Sequence, residues 1–209
     1  MDSGLFERED RMKYILRSIG ILVLGLGLSA SGWADQRVIL NLGSGIPTQA
    51  NGFSATAGPG FEGGFTYLYG LLPKLEVGVE ANEFYFPKKT DRDATTSQTM
   101  TNIITGEAVA RYSLMGVNKW TPYVQGGVGA DRYREDQTTT LAGTEFKGHD
   151  QTVRMSESLG VGVDYPLTDS LIAGVNATWH WFEMGKADFG TSVINMPSVT
   201  LQLGWKFGK

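Results

Sequence analysis

The chain has 209 residues, enough for one domain or two small ones, and a formal net charge of −4. It carries no basic block, which argues against nucleic acid as a partner. Its mildly polar mean hydropathy excludes a bundle of membrane helices but not a membrane barrel, where only alternate strand residues meet lipid. With no cysteine there are no disulfides and no thiolate metal sites, and the 28 glycines follow no collagen-like period.

At the N-terminus Arg11, Lys13 and Arg17 lead into the apolar stretch Ser18 to Ala30, followed by small residues at Gly32 and Ala34. A basic region, a short apolar run and a small-residue site make a secretory signal. The run falls short of the roughly 20 apolar residues that a membrane-spanning helix needs. Residues 1–34 are therefore expected to be an N-terminal extension and cleaved signal peptide, with translation starting at Met1 or Met12. Residues 35–209 form the mature domain.

Eight strand-like segments follow, at 36–45, 60–71, 74–86, 102–114, 121–134, 152–165, 170–182 and 197–207. Each is about the 9–11 residues that a tilted strand needs to cross a bilayer. Short connections follow the second, fourth and sixth segments; long polar ones follow the first, third, fifth and seventh. Short turns at one end and long loops at the other are the plan of an outer-membrane barrel.

Alternation separates two faces. Along the last strand Val199, Leu201, Leu203, Trp205 and Phe207 oppose Thr200, Gln202, Gly204 and Lys206. The second strand sets Phe61, Phe65, Tyr67 and Tyr69 against Glu62, Gly64 and Thr66, and the third sets Val77 and Val79 against Glu76, Gly78 and Glu80. In the fifth, Gly126, Gly127 and Gly129 erase the pattern and leave the frame open. Rings gather at the ends of the apolar rows: Tyr69, Tyr112, Tyr165, Trp205 and Phe207 near the short turns, and Tyr85, Trp179 and Trp181 at the other rim. Two aromatic girdles around an apolar band about 25 Å tall mark a lipid interface, so the apolar rows are expected to face outward.

Thr121 to Ala130, Leu159 to Trp179 and the closing VTLQLGWKF resemble strands of small OmpA/OmpX-like outer-membrane β-barrel proteins. The resemblance covers nearly all of the mature chain and implies an eight-stranded antiparallel up-and-down transmembrane barrel. It also implies a C-terminal strand read by the barrel-insertion machinery. That family usually ends on an aromatic residue, whereas Gly208 and Lys209 follow Phe207 here.

Eight strands leave an interior just wide enough to be filled by side chains. Glu62, Glu80, Glu107, Arg111, Arg154, Asp164, Asn176, His180, Gln202 and Lys206 fall on the inward rows. Carboxylates and bases are expected to pair across the lumen, because an unpaired buried charge costs several kcal/mol. Such a network blocks open permeation.

The enzymatic alternative is a lipid A deacylase, also an eight-stranded outer-membrane barrel, whose family carries a His followed two residues later by Ser near the outer end of the penultimate strand. His180 stands at the similar place, but Phe182 occupies the position of the nucleophile. His180 is then a histidine at the rim of the lumen. His149 lies in a loop, far from it in sequence, so no metal or cofactor site is expected. A soluble lipocalin-like carrier would invert the faces and commonly shows Gly-x-Trp on its first strand, which has no tryptophan here.

The expected protein is a monomeric outer-membrane barrel of an envelope of Gram-negative type, in contact with lipid and lipopolysaccharide, with a structural or surface-contact role. The charged, threonine-rich loops around Lys88 to Arg92 and from Glu135 to Asp150 would meet extracellular ligands. A narrow channel for small solutes is the other non-enzymatic alternative.

Overall fold

The computed structural model describes residues 35–48, 58–92, 96–115, 120–141, 144–183 and 193–207. The expected signal peptide lies outside the described residues, as does most of the connection after the first strand and after the seventh. Eight strands follow one another: β1 (Gln36–Gly45), β2 (Gly60–Leu72), β3 (Leu75–Arg92), β4 (Thr96–Ser113), β5 (Thr121–Leu141), β6 (Thr144–Pro166), β7 (Leu171–Glu183) and β8 (Val193–Phe207). Each pairs antiparallel with the next, and β8 closes on β1 with Leu203 opposite Leu40.

The turn between β6 and β7 is tight. There the Leu171 amide donates to Thr168 Oγ1 at 3.0 Å, and the Leu167 amide donates to the Leu171 carbonyl at 2.8 Å. The opposite end of the barrel departs from the sequence reading. β3 and β4 run on to Arg92 and from Thr96, and β5 and β6 run on to Leu141 and from Thr144. In two segments read as long loops, 87–101 and 135–151, the described residues 87–92, 96–101, 135–141 and 144–151 are therefore strand. The ladder extends from Glu135 opposite Asp150 to Leu141 opposite Thr144. Threonine favours the pleated conformation whether or not lipid lies alongside, so pairing goes on beyond the point where the apolar alternation stops.

The two faces differ sharply. Leu42, Leu201 and Val161 on the outside are 69%, 66% and 57% exposed. Thr66, Asn41, Glu80, Arg111 and Gln202 on the inside are buried. β5 takes its frame from the same rule: Tyr123, Gln125, Asp131 and Tyr133 are buried within, while Val124 and Val128 are exposed outside. Exposed rings circle both ends of the outer band, with Tyr112, Trp205 and Phe207 near the short turns and Tyr85 and Trp179 at the far rim. Tyr69, Tyr165 and Trp181 are half-buried on the same outer face, and Trp120 packs against Tyr165 with ring centroids 4.9 Å apart. An apolar belt of this extent is far larger than a water-facing monomer surface carries.

Candidate functional site

Among the described residues, chemistry-bearing side chains converge in the lumen, and β4 samples its depth. Arg111, Glu107 and Ile103 point inward at intervals of four residues, about 13 Å along the strand each.

Nearest the short turns is a charged tier. Arg37 Nη1 donates to Asp164 Oδ2 at 2.7 Å, its Nη2 donates to Glu76, and Arg111 Nη1 reaches the same Asp164 oxygen at 3.3 Å. A cavity of about 360 Å³ opens below it, lined in part by Lys74, Glu76, Asp164 and Lys206. Above lies a polar ring. Arg111 Nε donates to Gln125 Oε1 at 3.0 Å, and Gln125 Nε2 donates to Glu80 Oε2 at 2.9 Å. Thr66 Oγ1 donates to Glu80 at 2.8 Å and accepts from Asn41 Nδ2 at 2.9 Å. Asn41 Oδ1 accepts from Gln202 Nε2 at 2.9 Å, and Gln202 Oε1 accepts from Tyr123 OH at 2.8 Å. The Arg111 guanidinium lies 3.8 Å over the Tyr123 ring and closes the circuit. Arg111 Nη2 is left without a hydrogen-bond partner, but the ring of bonds through the other members is continuous, and such a network rigidifies what it fills.

The third tier is acidic. Ser158 donates to Glu107, and Ser198 bonds the Glu62 carboxylate. Asp131 is buried opposite Arg154, which is half-buried. The Glu107–Ser158 pair passes directly over Gly127, where any Cβ would collide with both oxygens. Glycine here leaves the room in which this pair meets. His180 Nε2 stands 3.2 Å from Ser198 Oγ, while its Nδ1 has no protein partner.

Over this tier sits an apolar cap of Phe84, Phe86, Ile103, Tyr133, Phe182, Ile194 and Met196, each at most 2% exposed. Phe84 meets the His180 imidazole edge-on at 5.1 Å, and Phe182 stacks on it at 5.8 Å.

Glu62, Glu80, Glu107, Arg111, Asp164, His180 and Gln202 thus lie buried in the lumen; Arg154, in the acidic tier, and Lys206, near the short turns, are half-buried. Asn176 is buried beside them, donating to Thr178 Oγ1 at 2.9 Å. Three readings change. Among the described residues, carboxylates in the lumen form ion pairs with bases in the tier near the short turns and not above it. Glu80 is held by neutral donors, and Glu62 and Glu107 by serines, because the bases Arg37 and Arg111 lie below them. His180 is not at the rim but sealed under aromatic rings. Its hydroxyl neighbour is Ser198 on β8, across the ladder, not a residue two positions along its own strand.

Sequence reasoning missed Arg37, Tyr123, Gln125 and the cap. Arg37 alternates with Ile39 and Asn41 against Val38, Leu40 and Leu42, a usable signal blunted by the apolar Ile39 in the inward row. The glycines of β5 concealed Tyr123 and Gln125. Ser198 stands between Glu62 and His180, and among the described residues no carboxylate bonds His180 Nδ1, where a hydrolytic triad has its orienting acid. Among the described residues no group of three or more His, Asp or Glu is placed to hold a metal ion.

No protein-family model matches the chain, and no curated protein sequence matches it. Solved structures do. Neisserial surface protein A is similar over 84% of this chain and 97% of its own, at 15% identity and a TM-score of 0.50. The outer membrane protein OprG of Pseudomonas aeruginosa is similar over 85% and 98%, at 14% identity and a TM-score of 0.55. A major outer membrane protein of Thermus thermophilus is similar over 84% and 100%, at 15% identity and a TM-score of 0.53. What they share with this chain is the fold, the small closed antiparallel barrel of outer-membrane proteins.

Proposed function

We propose that the chain is an outer-membrane β-barrel protein, exported by its N-terminal segment and inserted as a monomer. Its lumen is closed, and its role is support of the envelope or surface contact. The observation that carries this reading is the inversion of a soluble protein: Leu42, Val161 and Leu201 face out around the whole barrel, and Arg111, Glu80 and Asp164 are buried at its centre. In water such an arrangement would be costly on both counts; in a bilayer the outer rows meet hydrocarbon and every strand edge is paired.

The short turns face the periplasm, and the hairpins β3–β4 and β5–β6 project from the outer surface. Those hairpins present Arg132, Arg134, Gln151 and Lys147 to lipopolysaccharide or to an extracellular partner, function being carried by what a rigid scaffold holds out. The barrel-insertion machinery engages β8, and no cofactor takes part.

The protein is not a hydrolase on this reading. His180 and Ser198 are 1% and 4% exposed beneath Phe84 and Phe182, where no acyl chain reaches them. Their 3.2 Å contact still makes deacylation the alternative to test. Refolded protein in vesicles is assayed for single-channel conductance and for release of acyl chains from lipid A, with His180→Ala as control. Neither activity is expected. Large stable channels would sink the closed lumen, and acyl release abolished by His180→Ala would sink the non-enzymatic role.

A further inference from the structure

Resting on the closed-lumen reading, we infer that the barrel is shut by two barriers in series, of opposite chemistry, either of which suffices alone. The lower one is the polar circuit through Arg111, Gln125, Glu80 and Tyr123. Arg111 and Tyr123 are among the largest fully buried side chains of the protein, and both are tied on two sides. The upper one is the cap, in which Phe84, Phe182, Ile103, Ile194 and Met196 come from β3, β4, β7 and β8 and meet inside the bore. Between them lies the acidic tier of Glu62, Glu107 and Asp131.

The separation follows from the register. Ile103 of the cap and Arg111 of the circuit are eight residues apart on β4, and the inward Glu107 stands between them. The two tiers therefore share no side chain, and loosening one leaves the other packed. They also fail differently. A hydrogen-bonded circuit yields when its charges are altered, whereas an apolar constriction excludes ions by staying dry and is indifferent to charge. Breaking the salt bridges of this lumen is thus not enough to make a pore. The room that the upper barrier needs is built into the wall: Phe86 lies over Gly60, and Met196 and Phe84 lie over Gly45, where larger residues would displace them.

Three variants decide the matter, measured by conductance in planar bilayers after a heat-modifiable shift on gels shows each to be folded. Arg111→Ser with Tyr123→Ser opens the lower tier only. Phe84→Ser with Phe182→Ser opens the upper tier only. The third variant carries all four changes. The parent and both double variants are expected to stay at background, and the fourfold variant to conduct at least about tenfold above it. Conduction by the parent would overturn the closed-lumen reading itself. Conduction by one double variant equal to the fourfold would show that the untouched tier is no barrier. A folded fourfold variant that stays silent would show that neither tier controls the bore. Should the fourfold variant not insert, Phe182→Ala with Tyr123→Ala, one change per tier, is held to the same criterion.

Discussion

Asp164 is the residue on which the charged tier turns, because a single carboxylate oxygen accepts from both Arg37 and Arg111. Removing it leaves two buried guanidinium groups short of a partner, so Asp164→Ala is expected to destabilise the barrel by about 3–5 kcal/mol. Asp164→Asn keeps one acceptor and should cost less. Urea titration of the protein folded in vesicles measures both. Gly162 bears the opposite constraint. The Tyr123 ring rests where its side chain would be, with the Val175 carbonyl 2.7 Å from the same point. Gly162→Ala should therefore cost about 1–3 kcal/mol through overpacking, seen in the same titration, and Tyr123→Phe should not rescue it because the ring remains.

At the scale of strands, β8 shows what lipid imposes and what it leaves unspecified. Leu201 sits at the middle of the outer row and Phe207 at its edge. Leu201→Arg is expected to cost about 2–4 kcal/mol, and Phe207→Arg about 0–1 kcal/mol, a depth dependence that the unfolding titration resolves. The same selection explains which features could be read from the chain. Lipid demands apolar residues at every second position over about ten residues, so strand number, closure order, the outward rows of β2, β3, β6, β7 and β8 and the aromatic rims were all legible. Past the bilayer that demand ends, and the pairing of Thr96–Thr140 and its neighbours leaves no periodic trace. The cap was hidden for another reason. Phe84, Tyr85 and Phe86 are consecutive rings, of which the first and third point inward and the second outward. Hydrophobicity alone cannot separate them; only the frame carried up from Glu80 and Asn82 does. The serine partner of His180 was hidden because it comes from the next strand in the ladder, two residues past the position paired with the histidine.

At the scale of the whole molecule the barrel is a stack of unlike tiers inside an apolar sleeve, and the sleeve is what every functional inference depends on. Since the chain contains no cysteine, single cysteines carrying a nitroxide can be placed in turn at Val199, Thr200, Leu201, Gln202 and Leu203 in the protein inserted in vesicles. Accessibility to oxygen, which dissolves in hydrocarbon, is then compared with accessibility to a water-soluble nickel chelate. Val199, Leu201 and Leu203 are predicted to be oxygen-accessible and chelate-protected, and Thr200 and Gln202 to be shielded from both. Oxygen access at Thr200 and Gln202 with protection of Leu201, or free chelate access at Val199, Leu201 and Leu203, would contradict the lipid-facing sleeve.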